Sequence, residues 1–216
     1  SILSSAKTPL GLYQDPLIKQ NTCVSDFSFR DLLDPNQAVS LYLVLQPNDI
    51  DKLRPLTRLF VNTMIAKTVR DMKFDGDNTI KQRLLLMLDE FPQLKKMETI
   101  GNTLSICAGY GVKICIVVQN ITQLNEIYTK DGSNKILSNS HVQIYMTPSD
   151  NETAKELSER MGPKTIITTS VSSNGTFSGG STSKSEQQRN LMNPDEILRM
   201  NTDKNQLVLV KGGKPI

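Results

Sequence analysis

The sequence predicts an α/β fold with a doubly wound, mostly parallel sheet flanked by helices, and three observations carry that prediction. Short apolar runs bounded by turn formers recur along the chain. Several of them are apolar throughout instead of alternating, which is the pattern of strands covered on both faces. Segments of helical length separate the runs, and alternating strands and helices belong to layered α/β architectures.

The chain has 216 residues, 38% of them hydrophobic, enough to bury one substantial core but hardly two independent ones, so one domain or part of one is expected. In chain order the strand candidates are Leu41 to Gln46 (LYLVLQ), Leu84 to Leu88 (LLLML), Ile114 to Val118 (ICIVV), Val142 to Met146 (VQIYM) and Gln206 to Val210 (QLVLV). Helices are expected over Asp49 to Met72, Leu94 to Ala108, Ile121 to Tyr128 and Asn151 to Met161. The first contains Pro55, which belongs in a first turn or bends the helix, so regular helix is expected to begin near Arg54. The last has Ser149 or Asp150 to cap its start and Gly162 and Pro163 to stop it. The Ser- and Gly-rich stretch over residues 170–187 holds too little apolar content to offset its own ordering entropy and reads as a mobile loop.

Composition narrows the chemistry. The 25 Lys and Arg against 22 Asp and Glu leave a net charge of +3, spread along the chain without a run, too mild to argue nucleic-acid binding. Cys23, Cys107 and Cys115 are odd in number and widely spaced, so they form neither a disulfide framework nor a CxxC metal site, and a reducing, cytosolic compartment fits. Cys107 and Cys115 read as small core residues, and Met64, Met72, Met87, Met97 and Met146 as core packing. His141, the single histidine, has no ligand partners nearby in sequence and offers neither a metal cluster nor a triad. No run approaches the roughly 18–20 apolar residues that span a bilayer, and no signal-like start is present, so the chain itself is expected to be soluble.

The sharpest local feature is LLLMLDEFPQL, Leu84 to Leu94, where an apolar strand runs straight into two carboxylates. An acidic loop after a buried strand, with no chemical role, is one reading. The other is the second signature of a nucleoside triphosphatase. There the strand delivers Asp89 to hold a water of the Mg²⁺ shell, and Glu90 orients or deprotonates the attacking water. The next apolar strand ends in Gln119, a polar residue placed to touch a γ-phosphate. The phosphate-wrapping loop G-x-x-x-x-G-K-[ST] is missing, and the nearest imitation, Gly179 to Ser185, has Ser183 where the last glycine must be. The chain is therefore either no ATPase or the carboxyl-terminal part of one.

Five blocks, in order, speak to that choice: QDPLIKQNTCVSDFSFRDLL (Gln14 to Leu33), VSLYLVLQPNDIDKLRPLTRLF (Val39 to Phe60), LLLMLDEFPQL, ICAGYGVKICIVVQNITQL (Ile106 to Leu124) and RNLMNPDEILRM (Arg189 to Met200). Together they resemble the TraG/TraD-like coupling proteins of type IV secretion and conjugation systems, over nearly the whole chain. The resemblance implies a RecA-like nucleotide-binding motor of which residues 1–216 are the downstream portion. The phosphate loop, an inserted all-helical domain and a membrane anchor are expected upstream. By position it makes Asp89 and Glu90 the Walker B pair and Gln119 the γ-phosphate sensor, with ATP and Mg²⁺ as cofactors. It implies a ring of identical subunits, expected as a hexamer, on the cytoplasmic face of the bacterial inner membrane. Its expected partners are secretion-channel components, effector-protein or relaxase–DNA cargo, and a small regulatory protein.

The sequence departs from the family at one point. Some relatives carry an arginine in the turn before the Gln strand, where it reaches the neighbouring subunit's ATP, but here the turn reads AGYG. Lys113 just beyond it is the candidate for that basic role, with Arg54 and Arg58 behind it. Two other functions stay open on these residues: a DNA-pumping ATPase of the FtsK/HerA kind, and a non-enzymatic docking module in which Asp-Glu is incidental.

Overall fold

The computed structural model of the protein describes residues 11–71, 83–172 and 181–213. The chain divides into two compact units, 1–119 with 123–139, and 120–122 with 140–216.

In the first unit, helix α1 (Pro16–Thr22) starts at Asp15, whose carboxylate accepts from the Leu17 and Ile18 N–H groups and pairs with Lys52. Helix α2 (Ile50–Asp71) follows a 3-10 turn at Pro47–Asp49 and begins before the expected Arg54 start. Pro55 removes only the helical bond to the Asp51 carbonyl and lies on the exposed side, open to solvent, and the helix runs through. Its buried stripe, Thr57, Val61, Met64, Ile65 and Thr68, has the helical period.

Strands β1 (Leu84–Leu88) and β2 (Val112–Ile116) pair in parallel, Leu84 opposite Val112 through Leu88 opposite Ile116. The second strand sits two residues earlier than the expected Ile114 to Val118 run. Gly111 explains the early start: at φ 73° it closes a 3-10 turn at Ala108–Tyr110, and its carbonyl takes the Leu84 N–H at 3.1 Å. Leu86 and Leu88 are buried in the core, whereas Leu85 and Met87, on the opposite face, are 62% and 65% exposed. Met87 is therefore not a core residue among the described residues, and one apolar face of the pair stands bare.

Helix α3 (Glu98–Cys107) begins later than Leu94. Leu94 instead ends a 3-10 turn at Phe91–Leu94, and Lys95, at φ 57°, breaks the chain direction before Met97 is driven into the core at 1% exposure. Helix α4 (Ile121–Asn139) continues past the expected end at Tyr128, but it is interrupted there by Thr129 at φ 63° and ψ 166°. Cys107 is buried as expected and Cys115 half-buried. The Leu41 to Gln46 run is the main miss: it forms no strand, since no described segment supplies a ladder to pair with, and Tyr42 and Val44 are each 83% exposed.

The strand pairs of the second unit are antiparallel, the exception within the mostly parallel arrangement expected. Strand β3 (Val142–Tyr145) pairs with β6 (Leu207–Val210), and β4 (Pro163–Ser172) pairs with β5 (Ser181–Asn190) along ten residues each. The stretch expected as a mobile loop over 170–187 is thus strand at 170–172 and 181–187, and residues 173–180 lie outside the described residues. Composition misled here because a hairpin satisfies its backbone polar groups along the ladder without an apolar face, and the Thr and Ile of β4 favour extended backbone. Helix α5 (Asn151–Met161) has the expected bounds and cap, with Asp150 accepting the Thr153 N–H at 2.7 Å. It packs Ala154, Leu157 and Met161 on Ile197 of helix α6 (Pro194–Leu198) and on Leu207, while Met146 is exposed. The Asn193 N–H, then the Arg189 guanidinium, hold the Glu196 carboxyl below the usual glutamate range. That capping contribution is complete above the ordinary glutamate pKa and is lost as pH falls through the lowered one.

The core of the first unit turns on Tyr128. Its hydroxyl takes the Met97 N–H at 2.8 Å, its ring stacks on Phe91 at 5.8 Å and 15°, and burial pushes its hydroxyl pKa up. Tyr128→Phe leaves the buried Met97 N–H without that acceptor. We expect a loss of about 1–3 kcal/mol, read as a lower urea midpoint at constant m; an unchanged midpoint would mean that the hydroxyl is not the partner of that amide.

Candidate functional site

Two hydrogen bonds at the end of β1 build the site. The Val117 N–H donates to the Leu88 carbonyl at 3.0 Å, and the Val117 carbonyl accepts the Phe91 N–H at 3.1 Å. Val117, the residue just after β2, is thus bonded on both sides of Asp89 and Glu90, where a regular parallel ladder holds a single residue, so the pair bulges out at the strand's carboxyl end. Glu90 closes the loop in the left-handed region, φ 46° and ψ 45°, a conformation that costs a non-glycine residue roughly 1–2 kcal/mol. The Asp89 carboxylate turns back to accept the Glu90 N–H at 3.0 Å. Phe91, fully buried against Tyr128, anchors the far end of the loop. Such strain persists only where the surroundings over-determine it, and here the ladder and the ring do so.

The structure brings three of the expected residues together. Gln119, just past β2, donates from its Nε2 to Glu90 Oε1 at 3.3 Å. Asp89, Glu90 and Gln119 are exposed and line an open depression of about 160 Å³ with Pro92, Gln93, Val117, Val118 and Gln123. That volume is below the roughly 300–1,000 Å³ of a complete small-molecule site. It has room for a phosphate group and a water, not for a whole nucleotide.

None of the three basic candidates is among the lining residues. Lys113 is at the start of β2, and at about 3.3 Å per residue along a strand it is roughly 20 Å from Gln119, at the opposite edge of the pair. Arg54 donates to the Gln93 carbonyl at 2.8 Å and pairs with Asp51. Arg58 donates to the Lys96 carbonyl at 2.7 Å. Both arginines tie α2 to the backbone that follows the carboxylates. Sequence reading overlooked Gln123, whose Nε2 donates to Gln119 Oε1 at 3.4 Å. Its signal was a second Gln four positions on, one turn into a helix.

The donor chemistry suits Mg²⁺, which takes one or two carboxylates and completes its shell with water and phosphate oxygens. Asp89, with Glu90 beside it, presents carboxylates of that kind, and no group of three or more His, Cys, Asp or Glu side chains that could cage a metal occurs among the described residues.

Comparison with known proteins gives the class. The sequence matches the family described as "Type IV secretory system Conjugative DNA transfer" over residues 1–216, and the chain belongs to that family. It is 41% identical over 209 residues to the conjugal transfer protein TraG of Escherichia coli, covering 93% of this chain and 33% of TraG. It is 33% identical over 208 residues to VirD4 of Agrobacterium fabrum, covering 96% of this chain and 30% of VirD4. The chain therefore spans about a third of the length of these relatives. Its backbone resembles the conjugative coupling protein TrwB in a sulphate complex, with a TM-score of 0.69 at 20% identity over 88% of this chain and 42% of TrwB. It also resembles TrwB in complex with ADP and Mg²⁺, with a TM-score of 0.64 at 19% identity over 86% of this chain and 40% of TrwB. These likenesses establish the RecA-like fold expected from the sequence.

Phe91→Ala removes the ring that holds the carboxylate loop against Tyr128. The expected cost is about 3–5 kcal/mol, measured by denaturant unfolding; a cost below 1 kcal/mol would mean that the loop is held by the Val117 bonds alone.

Proposed function

We propose that this chain is the downstream portion of the ATP-hydrolysing motor of a type IV coupling protein, which recruits effector proteins or relaxase-bound DNA and delivers them to the secretion channel. One observation carries the reading: two carboxylates looped out of a parallel strand end, with the amide of the next strand's Gln119 in contact with the second of them. With Mg²⁺ and ATP bound, Asp89 would hold a water of the metal's shell, Glu90 would take the proton of the attacking water, and Gln119 would contact the γ-phosphate. Mg²⁺, when bound, offsets phosphate charge.

The rest of the nucleotide site comes from polypeptide beyond this chain. The small depression, the bare face carrying Leu85 and Met87, and relatives about three times as long all support that division. ATP sits between subunits of a ring, expected to be a hexamer, with a neighbour's basic residue completing the site. Lys113 can take that role only across an interface, given its place at the far edge of the strand pair. Among the described residues no helix is long and apolar enough to cross a membrane, and the anchor that sets the ring on the cytoplasmic face of the inner membrane is assigned to the upstream part. A small regulatory protein is a further partner this reading allows.

The test is steady-state Mg²⁺-dependent ATP hydrolysis by the intact motor, comparing parent with Glu90→Gln. General-base loss is expected to lower kcat by about 10²- to 10⁴-fold with ATP binding retained. Equal rates would move the function to a docking module in which the carboxylates are incidental. Stimulation by DNA alone, without cargo protein, would favour a DNA pump of the FtsK/HerA kind.

A further inference from the structure

We infer that Gln123 is a positioning residue that sets which end of the Gln119 amide faces the reacting centre. The inference rests on the proposed roles of Glu90 and Gln119 and adds to them a group that acts through Gln119.

The chemistry follows from the amide's two unlike ends. Gln119 Nε2 donates to Glu90 Oε1 at 3.3 Å, and Gln119 Oε1 accepts from Gln123 Nε2 at 3.4 Å. An amide nitrogen carries two hydrogens, so with one directed at Glu90 the other remains for an anion in the depression. If Gln119 turned over, its oxygen would face the Glu90 carboxylate and its NH₂ would face the NH₂ of Gln123. The first contact would then be repulsive, and so would the second while Gln123 keeps its own sense. Glu90 alone enforces the same orientation only while it stays beside Gln119. Once it engages the attacking water, Gln123 is the group that still holds the sensing end forward.

The geometry of the backbone makes Gln123 suitable for this. Gln119 stands on exposed, irregular chain just past β2, where nothing regular fixes its torsions, while Gln123 is half-buried in the first turn of α4. The next residue, Leu124, is 2% exposed and locks that turn into the core. A side chain on a fixed helix therefore steadies one on a loose strand end. Both contacts are long for hydrogen bonds, as expected of a site that tightens when its ligand arrives.

Two substitutions of opposite hydrogen-bonding sense provide the test. Gln123→Glu, nearly isosteric, presents only acceptors and draws the Gln119 NH₂ away from Glu90; Gln123→Lys presents only donors and keeps the native sense. Hydrolysis of Mg-ATP by the intact motor is measured for parent, both variants, Glu90→Gln and Gln119→Leu, with thermal unfolding as the check on folding. The expected result is a fall in kcat of about 10- to 100-fold for Gln123→Glu, the usual cost of losing a group that orients a site residue. KM for Mg-ATP should stay close to parent, and Gln123→Lys should retain a larger share of kcat. Equal kcat in the Glu and Lys variants, whether both kept or both lost, would overturn the inference while leaving the site intact. Parent-like rates in Glu90→Gln and Gln119→Leu would instead bring down the site reading itself, and the positioning role with it.

Discussion

The site depends on Val117 being hydrogen-bonded on two sides at once. Its N–H and carbonyl engage Leu88 and Phe91, and two residues stand between them where a regular parallel ladder holds one. Asp89 and Glu90 are exposed because the extra residue bulges the chain out at the strand end, and acidity alone would not place them so accurately. Everything chemical at this edge is therefore a consequence of strand pairing. The parallel register that aligns Leu84 with Val112 also places Gln119 beside Glu90, since both strands run out at the same edge.

A loop forced out in this way needs anchoring, and the core of the first unit supplies it. Phe91 fills the space beneath the loop and stacks on Tyr128, which in turn holds the Met97 amide. Arg54 and Arg58 fasten the outgoing backbone to α2 at Gln93 and Lys96. The carboxylates are thus carried by a short stretch secured at three levels: ladder, ring and guanidinium. This fits the general requirement that reacting groups sit on supports more rigid than themselves.

The parts of this arrangement readable from sequence were those set by local pattern. An unbroken apolar run ending in Asp-Glu announced β1 and its carboxylates, and a second run ending in Gln announced the neighbouring strand. Asp150 announced the start of α5, because a capping carboxylate acts within one turn. Features decided by distant partners were not readable. Leu41 to Gln46 has strand composition, yet a strand exists only where a ladder partner does. The antiparallel pairing of β3 with β6 joins segments more than sixty residues apart, and nothing in either run specifies direction. The β4–β5 hairpin was hidden by serine content, since its backbone bonds carry no compositional mark. Gln123 escaped notice because its value lies in the oxygen of another side chain.

The left-handed backbone at Glu90 puts two demands on one codon. For the fold, glycine or asparagine would be the more comfortable occupant, while the assigned chemistry requires a carboxylate at that atom. Any laboratory selection that rewards expression or heat resistance alone will therefore favour substitutions here, as at Lys95 and Thr129, the other described non-glycine residues with positive φ. A library screened that way would deliver better-behaved protein whose motor has been silenced.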